Sequence, residues 1–166
     1  RENMSTLSHL NSRGEAAMAD VGAKEPTRRK AVAMCEIVMK AATLQLLRNG
    51  KLEKGDAFAV ARVAGILTAK KTHDLIPLCH PLPLEHIEVR FFDRSCGPGI
   101  LIEVEVNATA KTGVEMEALA GAAIAALTLY DMAKASDPGM TIRNLHVVKK
   151  TGGKSDFHQS RYPYGE

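Results

Sequence analysis

Apolar and polar residues alternate in some stretches of this chain and recur every three to four positions in others, and the two rhythms predict different elements. From Arg29 to Met39 the run RKAVAMCEIVM is apolar with partial alternation at Ala33, Cys35 and Ile37. That favours a strand, although Ala and Met also suit a helix. Lys40 to Arg48, KAATLQLLR, is helical in composition, and Asn49-Gly50 would end it as a left-handed cap. Lys54-Gly55-Asp56 opens a second helical pattern, AFAVARVAGILTAKKTHDLI, which Pro77 stops because it has no amide hydrogen. His86 to Phe92 and Ile100 to Ala110 both alternate, with a turn at Gly97-Pro98-Gly99 between them, and predict an antiparallel hairpin. Thr112 to Ala135 is the strongest helical stretch, with Thr112 and Glu115 at capping-box spacing and Pro138-Gly139 beyond its end. Met140 to Val148 predicts a last strand, and the basic stretch from Lys149 reads as loop.

The order is β, α, α, β, β, α, β. With the first two helices counted as one crossover, it is the split βαβ pattern of a ferredoxin-like α+β fold, an antiparallel sheet with helices on one face. Residues 1–28, with Gly14, Gly22 and Pro26, read as an N-terminal arm that is flexible unless something pins it. Residues 29–157 form the single domain and 158–166 a tail. At 166 residues the chain suits one domain with one core.

Composition sharpens this picture in two ways. Aromatic residues are only 4% and Trp is absent, so Ala, Val, Ile, Leu and Met must build the core. Such a domain gains by burying more surface against another copy, a weak pointer to an oligomer. The net charge of +3 is too small to argue for nucleic acid. An RNA-binding sheet would also need stacking aromatics that the strands lack. Cys35, Cys79 and Cys96 fit no metal or disulfide spacing and read as reduced thiols of a cytoplasmic protein. No run of about 18 apolar residues predicts a membrane span. The N-terminus lacks the apolar core of a signal peptide, and the natural start is Met4 or upstream.

Several residues could carry chemistry, each with an ordinary structural reading beside it. Asp131 and Lys134 can touch on one helix face and pass protons, though on spacing alone a solvated ion pair is the commoner explanation. Glu117 shares that face within about 40° but lies about 21 Å from Asp131 along the axis. A ligand using both is long, or two subunits share the site. Leu78-Cys79-His80, bracketed by Pro77, Pro81 and Pro83, places a histidine on a stiff loop, preorganised for proton transfer or simply structural. Lys54 before a helix could meet a phosphate or only solvent. The run Lys149 to Lys154, with two glycines, could close over an anion. No zinc site is predicted.

Taken together, four segments closely resemble the MoaC family. They are Lys54-Gly55-Asp56; Asp74 to Pro81, DLIPLCHP; Lys111 to Leu119, KTGVEMEAL; and Ala126 to Ala135, ALTLYDMAKA. The resemblance runs from about Leu7 to Phe157. It implies a ferredoxin-like subunit in a homo-hexamer, a trimer of dimers, with sites at dimer interfaces and neither nucleic acid nor membrane as partner. It implies a lyase of molybdenum cofactor biosynthesis acting on a small molecule, a cyclised dihydroguanosine triphosphate, to form a cyclic pyranopterin monophosphate and release pyrophosphate. Carried over by position, Asp131 resembles the catalytic acid/base, and Lys54 and Lys134 the essential lysines. Leu78, Cys79, His80, Met116 and Glu117 match substrate-binding segments; Arg29, Glu115 and Lys150 match residues lining the pocket. No cofactor is required by the sequence, although Mg2+ on the substrate phosphates would fit. One departure stands out: Asp156 follows Ser155 directly, where the family usually has a further Gly. A non-catalytic nucleotide-binding module on the same fold is the alternative, separated by an assay for product.

Overall fold

A computed structural model describes residues 10–11, 13–52 and 54–161; the other positions of the predicted arm and tail lie outside it. The elements are β1 (Thr27–Val38), α1 (Ala41–Arg48), α2 (Ala57–Lys70), α3 (Thr72–Leu75), β2 (Leu84–Asp93), β3 (Gly99–Ala110), α4 (Glu115–Ala133), β4 (Thr141–Thr151) and β5 (Phe157–His158). They form an α+β fold in which the strands lie in the order β2-β3-β1-β4-β5, every neighbouring pair antiparallel. The alternation in Arg29 to Met39 is therefore a strand, the central one.

Three sequence readings are corrected. The helical pattern after Asp56 breaks at Lys71, whose amide closes on Thr68 O three residues back, and α3 follows. Lys149 to Thr151 are not loop but the end of β4. There β1 pairs on one side through Lys30 to Val32, and β5 pairs with Lys149 and Lys150 on the other. Their polar side chains hid a backbone that has ladder partners on both edges. The Thr112–Glu115 capping box does not form: α4 starts at Glu115, its N-cap position is Val114, and no side chain caps it. By contrast Asp56 does cap α2, accepting from Ala59 N at 3.0 Å.

One face of the sheet carries Ala31, Ala33, Cys35 and Ile37 of β1 and Ile100, Ile102, Val104 and Val106 of β3, all fully buried. They pack under the helices with Ala118, Ala122, Ala125 and Leu129 of α4. Burying each larger aliphatic contributes about 1.5–3 kcal/mol. Alanines and glycines let the layers close: a side chain added at Gly65 of α2 would meet Gly121 O of α4 at 3.1 Å, and the converse also holds. By length and composition alone α4 could cross a bilayer, but its buried stripe packs on β1, β3 and α2.

The opposite face holds a smaller apolar cluster, Val32, Met34, Leu101 and Val148, set among charges. Glu36, 1% exposed, receives Arg94 Nε at 2.6 Å, Arg143 Nε at 3.3 Å and Asn144 Nδ2 at 3.0 Å. Burial opposes its ionisation, but the bonds from Asn144 and Arg94 and the nearby guanidinium charges win and hold its carboxyl below the usual range. Asn144, at φ 54, sits where β4 shifts register against Met34 and Glu36.

Candidate active site

Two regions at opposite ends of α4 gather the residues singled out from the sequence. At the C-terminal end, Asp131 is held from both sides: Lys134 Nζ lies 2.7 Å from Oδ1 and Lys54 Nζ 3.0 Å from Oδ2. Lys54 also donates to Asp131 O at 3.0 Å. The loop before α2 carries Lys54 to this place, and Lys134 is the C-cap of α4 itself. Hydrogen bonds from Lys134 and then Lys54 hold the Asp131 carboxyl below the ordinary range, and Asp131 in turn raises Lys134. All three side chains are about half exposed, at 49%, 56% and 54%. They can meet a ligand without rearrangement of the core.

At the N-terminal end two clefts adjoin. The first, about 300 Å³, is lined by Leu78, Cys79, His80, Leu82 and the start of α4 through Glu115, Met116 and Glu117. Glu117 is 4% exposed, and burial, reinforced by Glu115, raises its carboxyl above the usual range. Burial and then the Glu117 charge push the Cys79 thiol up, so Cys79 is a neutral lining group rather than a thiolate. The second cleft, about 260 Å³, is lined by Lys24, Arg29, Lys30, Lys111, Lys150 and Lys154 with backbone from Gly113 and Gly153. Thr112, Gly113 and Glu115 belong to both walls. Glu115 Oε1 faces Lys150 Nζ at 3.2 Å across the junction.

Arg29 builds the second cleft rather than merely lining it. Its Nε and Nη2 donate to Ala110 O and Lys111 O, both at 3.3 Å, and so tie β1 to the loop entering α4. The β4 end closes over it. Gly152, at φ +89, brings its backbone where a side chain would lie 1.8 Å from Arg28 O. Gly152 N donates to Asp156 Oδ1 at 3.2 Å, so the residue that departs from the expected family spacing closes the turn leading to β5.

The structure thus brings together Arg29, Leu78, Cys79, His80, Glu115, Met116, Glu117 and Lys150 around the paired clefts. It brings Lys54, Asp131 and Lys134 together at the other end of α4, outside the lining of either cleft. The reading from the sequence did not single out Lys24, Lys30 or Lys111. Lys24 sits in the arm, and only folding beside β1 brings it near Arg29. Lys154 was anticipated only as part of the basic run. Among the described residues no group of three or more His, Cys, Asp or Glu is placed to hold a metal ion.

Comparison with known proteins identifies the family. Residues 18–153 match the model of the MoaC family. The chain is 53% identical over 158 residues to the cyclic pyranopterin monophosphate synthase of Pelotomaculum thermopropionicum, covering 95% of this chain and 93% of that protein. It is 51% identical over 152 residues to the synthase of Thermomicrobium roseum, covering 92% of each. It is 52% identical over 149 residues to that of Chloroflexus aggregans, covering 90% of each. Matched from the arm to the turn beyond β4, with acid, lysines and paired clefts on the matched segments, this chain belongs to the MoaC family.

Proposed function

We propose that the chain is a cyclic pyranopterin monophosphate synthase, a lyase of molybdenum cofactor biosynthesis. It would convert (8S)-3',8-cyclo-7,8-dihydroguanosine 5'-triphosphate to cyclic pyranopterin monophosphate and pyrophosphate. The observation that carries this reading is the junction at Glu115 between a cleft rich in Lys and Arg and a cleft lined by His80 and Glu117. The first suits a triphosphate and the leaving pyrophosphate, the second a polar purine ring. Asp131 would act as acid/base, with Lys54 and Lys134 setting its charge and receiving negative charge as rings open and close. Magnesium would ride on the phosphates rather than in a protein cage.

A pair of chains would unite the two ends of α4. Positions 117 and 131 are symmetric about Ile124, so antiparallel crossing of two α4 helices there sets Asp131 of one copy against Glu117 of the other. The outward stripe of α4 supports this: Met116, Ala120, Ala123 and Leu127 precede Asp131 and Lys134 at helical spacing, apolar or small through the middle. Exposed Val60, Val63 and Leu67 of α2 extend the apolar surface. We read the strand order as ferredoxin-like, with residues 29–157 as the catalytic unit, and the assembly as a hexamer built from three such pairs, working in the cytoplasm. Incubation with the cyclised substrate tests the function. Pyrophosphate and the pyranopterin should appear together, and Asp131→Ala or Lys54→Ala should abolish both while the assembly, followed by light scattering, stays intact. Near-normal turnover by either variant overturns its assigned role; no product from the parent chain overturns the function.

A further inference from the structure

The arm offers backbone to two side chains that line the clefts. Ala19 O lies 2.8 Å from His80 Nε2, and Gly22 O accepts from Lys111 Nζ at 2.7 Å. A tight turn separates these two carbonyls: Asp20 Oδ1 accepts from Gly22 N at 2.8 Å, and Val21 O from Lys24 N at 3.1 Å. The same few residues therefore contact a lining side chain of each cleft. A carbonyl oxygen carries lone pairs and no hydrogen, so its contact with His80 is a hydrogen bond only when Nε2 bears the proton. In the neutral ring Nδ1 is then the acceptor. The other tautomer would aim the Nε2 lone pair at the lone pairs of Ala19 O, and their repulsion disfavours it.

We infer that the Ala19 carbonyl is a positioning group that fixes His80 as the Nε2–H tautomer, so that His80 meets its ligand through Nδ1 as a hydrogen-bond acceptor. The ligand's identity rests on the function proposed above; the tautomer does not. The group opposite Nδ1 must then be an N–H or O–H donor: a protonated ring nitrogen, an exocyclic amine or a sugar hydroxyl of the nucleotide. Where a proton moves at this point, it leaves that nitrogen or oxygen, which keeps the bonding pair, and lands on Nδ1. The imidazolium keeps its Nε2–H on Ala19 O, and the same Nδ1 returns the proton. The arm thus acts on the site through His80, and its backbone decides which face of a donor–acceptor pattern His80 can read.

The test uses the full chain with isotope-labelled histidine, reading ring-nitrogen chemical shifts at about pH 8.5, above the ordinary imidazole range. His80→Asn identifies the His80 signals by their loss. Free imidazole samples both tautomers, so a single Nε2–H form is the expected signature. In Asp20→Ala, which opens the turn, and in Asp20→Ala with Lys111→Met, which also removes its anchor, the two tautomers should mix. Asp20→Ala should lower kcat by about tenfold with KM changed by less than about twofold, because a positioned acceptor matters most in the transition state. Should the parent show Nδ1–H or a mixture, should both variants keep the single form, or should the tautomers mix without loss of kcat, the inference falls. The shifts need no substrate, so failure of the proposed function would be seen separately, as an absence of product from the parent.

Discussion

Asp131 sits between two ammonium groups, and its protonation follows from them. Its carboxyl titrates below the ordinary aspartate value of about 3.9. It stays charged through the neutral range, and its ion pairs are lost only as pH falls below that of an ordinary aspartate. Removing the larger cause should reverse the shift. In Lys134→Met the Asp131 midpoint, followed by carboxyl-carbon NMR, should move up toward the ordinary value, and an unchanged midpoint would refute this account. Glu36 is a different case, an acid buried against Arg94, which is itself 4% exposed. Glu36→Ala strands that guanidinium and should cost about 3–5 kcal/mol in urea unfolding. Because the Glu36 carboxyl is depressed, the gap between parent and variant should hold above its ordinary value of about 4.3 and close in stronger acid. At this scale the sequence was legible where residues are near neighbours. Asp131 and Lys134 are three apart and do touch. The grip of Lys54 on Asp131, from 77 positions away, has no local signature and came only through family resemblance.

Among the described elements, periodicity and composition together found the four long strands and the three longer helices. They failed where backbone pairing outweighed side-chain pattern. Lys149 to Thr151 and Phe157-His158 are held by ladders that polar side chains do not advertise. The Thr112–Glu115 spacing failed for another reason: the helix begins at Glu115 with Val114 at its N-cap position, so Thr112 lies too early to cap it, and Glu115 pairs with Lys150 across the cleft. The glycine contact between α2 and α4 yields the element-scale prediction. Gly121→Leu places a branched side chain against Gly65 O, and the helices can only part or distort. Stability should fall by about 1–3 kcal/mol, read from the denaturant midpoint, despite leucine's better helix propensity. A midpoint at or above that of the parent would mean the helices are less closely locked than their backbones suggest.

For the molecule as a whole, the separation of Asp131 from the paired clefts becomes a question about subunits. If each site draws on two copies, a chain damaged at one end of α4 can be rescued by a chain damaged at the other. Asp131→Ala and His80→Ala, each inactive alone, should on co-expression recover about one quarter of the parent's turnover, since half the pairs are mixed and each mixed pair holds one intact site. No recovery from a well-mixed assembly would mean each chain carries a self-sufficient site. Sequence reasoning foresaw this choice from helix rise alone, because residues fourteen apart on one rod cannot share a compact ligand.

The place of β1 in the middle of the sheet has a consequence for how the molecule comes into being. Its partners are remote in sequence: Thr27 pairs with Ala110, and Lys30 with Thr151. The local hairpins among the described residues, β2 with β3 and β4 with β5, leave β1 out. The first strand to leave the ribosome must therefore wait for nearly the last, a topology that folds slowly. The cleft around Arg29 and Lys150 is bounded by those same two strands. A nascent chain stopped before residue 151 would have Arg29 tied to Ala110 and Lys111 but would lack the wall from Thr151 to Ser155, and the full grip on phosphate should arrive with the closing strand.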